Sequence, residues 1–110
     1  MCMYINSATS TDSPYCSWLL TTVDIPLPEG FILRQPLTVM AEHWKPKEWT
    51  VTASYLDEFG IGETYNIALK DLGDSIVDLY HSLCLSEDRL GTDLLLCLER
   101  LRQILQTPQP

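Results

Sequence analysis

The chain predicts an α+β fold: a three- or four-stranded antiparallel sheet packed by one long helix, with a second helix behind it. Three observations predict it. WTVTASYL alternates apolar and polar residues, as a strand buried on one face must. ALKDLGDSIVDLYHSL repeats apolar residues at three- and four-residue steps, the period of an amphipathic helix. KPKE joins two strand-like runs so closely that they can pair only as a hairpin. With 110 residues there is material for one modest core, so residues 15–110 are expected to form a single domain.

Taken in order, residues 1–14 are rich in Ser, Thr and Asn without periodicity and predict a mobile tail. SWLLTTVDIPLP is β-branched and aromatic but runs into two prolines, which suits an edge strand over 17–24. PEG at 28–30 turns the chain. FILRQPLTVMAEHW supplies a strand, best formed after Pro36, where Leu37, Val39 and Ala41 alternate with Thr38, Met40 and Glu42. After KPKE at 45–48, the next strand places Trp49, Val51, Ala53 and Tyr55 on one face and Thr50, Thr52 and Ser54 on the other. FGIG makes a short third strand, and Gly60 and Gly62 are expected to allow a tight turn into the helix.

Thr64 is placed to cap that helix by accepting a hydrogen bond from a backbone N–H, although Ile67, three residues on, cannot complete a capping box. Its apolar stripe comprises Ala68, Leu69, Leu72, Ile76, Leu79, Tyr80 and Leu83. SEDRLG separates it from a helix expected over 92–106. There Thr92 is the expected cap, Leu94, Leu98, Leu101 and Leu105 the buried face, and Arg100 and Arg102 the complement to the negative helix end.

Composition narrows function. Seven basic against fifteen acidic residues give a net charge of −8, which repels nucleic-acid phosphates and attracts a basic protein. No apolar run reaches the roughly 20 residues of a membrane span, and the N-terminus lacks a basic start followed by an apolar core, so a cytoplasmic protein is expected. Cys2, Cys16, Cys84 and Cys97 form no CxxC pair, and His43 and His81 stand at no ligand spacing to them; no metal, cofactor or enzymatic activity is expected. Gly60 and Gly62 lack the third glycine of a dinucleotide fingerprint.

The remaining candidates concern binding. Asp71, Asp74 and Asp78 fall on one exposed side of the long helix, opposite the leucine stripe, as an acidic strip for a basic partner or as a solvated face. Trp44 and Trp49 flank the hairpin turn, where they either meet across the strands or stand exposed as interface anchors. His81 is expected to pair with Asp78 one turn back. An open sheet with one helix leaves edge backbone unpaired, and a homodimer would cover it.

The order hairpin, short strand, helix, with the join GETYNIALKDLGDSI, resembles the HicB-like fold of bacterial and archaeal antitoxins. Gly62, Glu63, Thr64, Ala68 and Leu69 match that family's glycine turn and the Ala-Leu pair one turn into its helix, and the resemblance covers roughly residues 36–84. It implies an antitoxin or accessory protein that neutralises a small basic, RNA-directed toxin without catalysis. The DNA-binding half usual in that family has no counterpart here, since the terminal helix is leucine-rich with Arg100 and Arg102 alone, so no direct contact with DNA is expected. A stand-alone structural or oligomerisation module is the alternative.

Overall fold

The computed structural model describes residues 16–44 and 47–108. The expected tail over 1–14 and the first two residues of the KPKE turn lie outside the described residues.

Strand β1 (Cys16–Val23) and the short β2 (Ile32–Leu33) precede the hairpin β3 (Leu37–Trp44) and β4 (Glu48–Ala53), and β5 (Glu58–Gly62) follows. Helix α1 (Tyr65–Leu85), a single 3-10 turn (Glu87–Arg89), helix α2 (Thr92–Ile104) and strand β6 (Leu105–Gln106) complete the order. The antiparallel sheet runs β1-β3-β4-β5, so the strand expected over 17–24 is indeed an edge strand and the sheet has four members. Among the described residues no helix is long and apolar enough to cross a membrane.

Register explains how α1 is seated. One row across the helix side of the sheet reads Leu19, Ala41, Val51, Gly60, from β1 to β5. The side chains shrink to nothing where α1 passes over β5: a Cβ on Gly60 would fall onto the backbone of Ala68 and Leu72. Gly60 and Gly62 therefore lie within a strand and not in the tight turn expected of them; what they supply is close approach of helix to sheet. The left-handed conformations fall elsewhere, at Glu29 (φ 62°), Gly30 (φ 83°) and Asp57 (φ 57°), the first two closing the PEG turn with a bond from Phe31 N–H to Pro28 O of 3.2 Å.

Thr64 caps α1 as expected, its hydroxyl accepting from Ile67 N–H at 3.1 Å. Leu72, Ile76, Val77, Val39, Val51, Leu98, Leu101 and Ile104 are the largest side chains shut off from solvent. Gly73 adds a second close contact, because a side chain there would strike the carbonyl of Pro26 in the link after β1.

The C-terminal region departs from expectation. Thr92 does not cap α2; it is the first helical residue, preceded by Gly91, which offers no side-chain bond. Leu94 is 47% exposed because only the later turns of α2, through Leu98, Leu101 and Ile104, reach the core. The helix stops at Ile104, and Leu105 is buried as part of β6, which pairs antiparallel with β2. Arg34 fastens this ribbon: its N–H donates to Ile104 O at 2.7 Å and its Nε to Leu105 O at 3.1 Å.

Candidate interaction surface

A sheet with one helix layer has one face to spare. On the side away from α1, Leu20, Met40, Thr52 and Phe59 form a row across all four strands, and Trp18, Glu42, Thr50 and Ile61 occupy the next row of positions. Leu20, Phe59 and Ile61 are roughly half exposed, at 58%, 54% and 45%. Thr22 and Thr38 bond to one another through their hydroxyls at 3.1 Å beside them. The result is an apolar centre interleaved with threonines, with Glu42 and Glu48 alongside.

Trp44 and Trp49 do not meet across the hairpin. Trp44 is opposite Glu48 in register, whereas Trp49 is opposite His43 and turned to the α1 side. There the Trp49 indole stacks on the His43 imidazole, centroids 4.4 Å apart and planes 6° from parallel, and meets the Tyr65 ring edge-on at 5.6 Å. Trp49 thus closes the space under the start of α1, and Trp44, half-buried, lies with Trp18 on the spare face. The one-residue offset follows from pairing at Glu48, which sends neighbours 44 and 49 to opposite sides.

The three aspartates of α1 share the outer side of the helix but differ in engagement. Asp71 accepts a hydrogen bond from Ile61 N–H at 2.9 Å, covering a donor on the outer edge of β5. Asp74 pairs with Lys70 at 3.3 Å, and Asp78 is exposed. His81 pairs with Glu29 of the PEG turn, not with Asp78: Nε2 lies 3.1 Å from the Glu29 carboxylate, and the ring meets Phe31 edge-on at 5.6 Å. The positive-φ turn at 28–31 is what carries Glu29 to the helix.

Basic side chains are largely consumed within the fold. Arg102 binds both oxygens of Glu87 at 2.7 and 2.9 Å, which lowers the Glu87 pKa and raises that of Arg102. Arg100 donates to Tyr55 O at 3.2 Å and lies over the Tyr55 ring. Lys70, Arg100 and Arg102 are thus engaged within the fold, while Lys47 in the hairpin turn is exposed. Burial, then the neighbouring Asp57 charge, raises the pKa of Glu58; burial and the Glu58 charge raise that of the Cys97 thiol, disfavouring its reactive thiolate. Cys84 and Cys97 are both free thiols. Among the described residues no three His, Cys, Asp or Glu side chains come together as a cation site requires.

The second feature of this surface is the edge at β1, which no other strand joins among the described residues. Its Leu19 points to the α1 side yet is 59% exposed, because the helix lies over β4 and β5 and leaves β1 overhanging. Trp18, Leu19, Thr21, Ala41, Trp49 and Tyr65 line an apolar groove between the overhang and the start of α1. Neither this groove nor the apolar row behind it was anticipated from sequence, although a signal was there: neighbouring Leu19 and Leu20 in a strand must face opposite sides, and one helix can cover only one of them. FGIG carries the same message, its Phe59 and Ile61 alternating with glycines that lie under the helix.

No protein-family model matches this chain, and no curated protein or solved structure is significantly similar to it.

Proposed function

We propose that this chain is a cytoplasmic, HicB-like antitoxin or accessory protein that acts stoichiometrically, by covering a small basic, RNA-directed partner. The observation that carries this reading is the spare face of the sheet, where Leu20, Phe59 and Ile61 stand half exposed among threonines with Glu42 and Glu48 beside them. A partner for such a face needs an apolar patch rimmed by lysine or arginine. The net charge of −8 would speed its encounter. Asp78 extends the acidic side; Asp71 and Asp74 serve the fold first, through Ile61 N–H and Lys70.

The test is co-expression of the tagged chain with the products of the adjacent genes, followed by washing from about 0.1 to about 1 M salt. A small basic protein that stays bound at low salt, leaves at high salt and arrests growth when expressed alone supports the reading. Phe59→Lys, which reverses the patch without entering the core, should then abolish capture. Recovery of the chain alone, as a salt-resistant assembly, defeats it.

A second reading, a structural or oligomerisation module without a toxin partner, is favoured by Leu94, Leu95 and Leu96, three consecutive exposed leucines on α2. In that case replacing Leu95 with lysine would dissolve the assembly and salt would not.

A further inference from the structure

The two edges of the sheet are built differently, and the difference limits what can join them. At β5 the edge is closed. Helix α1 packs onto Gly60 and Gly62, and the Asp71 carboxylate already takes the Ile61 N–H that an added strand would need. At β1, the other terminal strand, the sequence is CSWLLTTV: eight residues without charge or proline, the two devices most often used to protect an edge. Large apolar side chains stand exposed on both sides of it, Leu19 at 59% and Leu20 at 58%.

We propose that β1 pairs antiparallel with β1 of a second copy of this chain across a two-fold axis through Leu19, joining two four-stranded sheets into one of eight. The occupant follows from three features. A strand without charge offers nothing for a basic partner to recognise, whereas the acidic residues of two copies, carried on other elements, are kept apart by this arrangement. With β5 closed, the four-stranded sheet has one joinable edge among the described residues, so pairing ends at two and does not propagate into a fibre. The strand is also self-complementary. A two-fold axis perpendicular to the sheet brings together only residues that share a face, and centring it on Leu19 sets Leu19 against its own copy and Trp18 opposite Leu20 on both sides of the axis. Centring it on Leu20 would instead oppose Trp18 to Thr22 and Leu19 to Thr21, wasting the large apolar pairs. In the Leu19 arrangement the groove lined by Trp18, Leu19 and Tyr65 gains a second wall from the partner's strand.

This inference does not depend on a basic partner, and it is tested on the purified chain. Sedimentation at about 10–100 µM, where a modest interface is populated, should report twice the 12.5 kDa chain mass. Leu19→Lys and Leu19→Glu each set like charges across the axis and should weaken self-association at least about tenfold. Because Leu19 is exposed in one copy, both variants should melt within a few degrees of the parent. Mixing them should restore the dimer, which happens only if position 19 meets position 19. The proposal is overturned by a parent chain that sediments as a monomer across that range. It is equally overturned by a dimer that neither variant weakens, by a mixture that fails to reassociate, or by a dimer lost on Leu95→Lys and kept with Leu19→Lys.

Discussion

The β5 and β1 edges belong to one sheet and obey opposite rules. At β5, small residues let α1 come down onto the strand, so backbone and helix are fitted without slack. At β1, large residues stand where no helix reaches. The same row of the sheet, Leu19 to Gly60, thus passes from a surface where the fold of a single copy tolerates change to a contact that admits none. Tolerance in this protein is set by the position of one helix more than by residue type.

The largest effect should come from breaking the closed edge. Gly60→Ala drives a methyl group into the Ala68 and Leu72 backbone and should cost about 3 kcal/mol or more in chemical denaturation. Leu72→Ala, which hollows the same contact from the helix side, should cost about 2–5 kcal/mol; if both changes prove mild, α1 is not seated on β5 as described. Smaller losses, about 1 kcal/mol each, are expected for Thr64→Ala, which removes the cap, and for Asp71→Ala, which exposes the Ile61 N–H. Asp71→Asn keeps an acceptor and should recover most of the second loss. At the open edge Leu19→Ser should change the stability of a single copy by no more than about 0.5 kcal/mol, the contrast that defines the comparison.

Titration sharpens it further with two carboxylates. Glu58, on β5, has a folded pKa raised above its ordinary value, so the native state holds that proton more tightly than the unfolded chain does. It opposes folding once pH rises past the raised value and ceases to do so below the ordinary one; Glu58→Gln should therefore give a small gain near neutral pH that vanishes in acid. Glu87 is the reverse case. Arg102 depresses its pKa, so its contribution is present above the ordinary carboxylate value and fades as pH falls through the depressed one, and Glu87→Gln should flatten the acid limb of the stability curve.

Legibility followed the same division. Elements with a sustained local period were readable: β3, β4 as far as Ala53, β5, the Thr64 cap and the stripe of α1 lie where the pattern puts them, whereas Tyr55, which the alternation puts on the Val51 face of the strand, falls in the turn after Ala53 and is exposed. What escaped was decided by partners far away in sequence. The β2–β6 ribbon has two residues per strand, too few for any period, and it ends a leucine pattern that by itself would run on as helix. Leu94 fits the helical stripe but lies beyond the reach of the core. Gly60 was visible as a residue, yet its purpose depends on the helix that crosses it. The candidate surface was the least legible part. The aspartates of α1 are conspicuous as a run, and two of the three turn out to have neighbours that use them, while the apolar patch is scattered over four strands and assembles only in register.

The Arg34 clasp bears on how the chain reaches this state. It ties residue 34 to residues 104 and 105, a separation of about two thirds of the sequence, whereas the hairpin and its cover of α1 can close locally. Loop closure over so long a span is slow and brings its reward last. In refolding, the sheet and α1 would close ahead of the ribbon, leaving Leu33 and the underside of α1 bare until residues 104–106 docked. Pulsed labelling of Cys84 and Cys97 during refolding would register that closing moment.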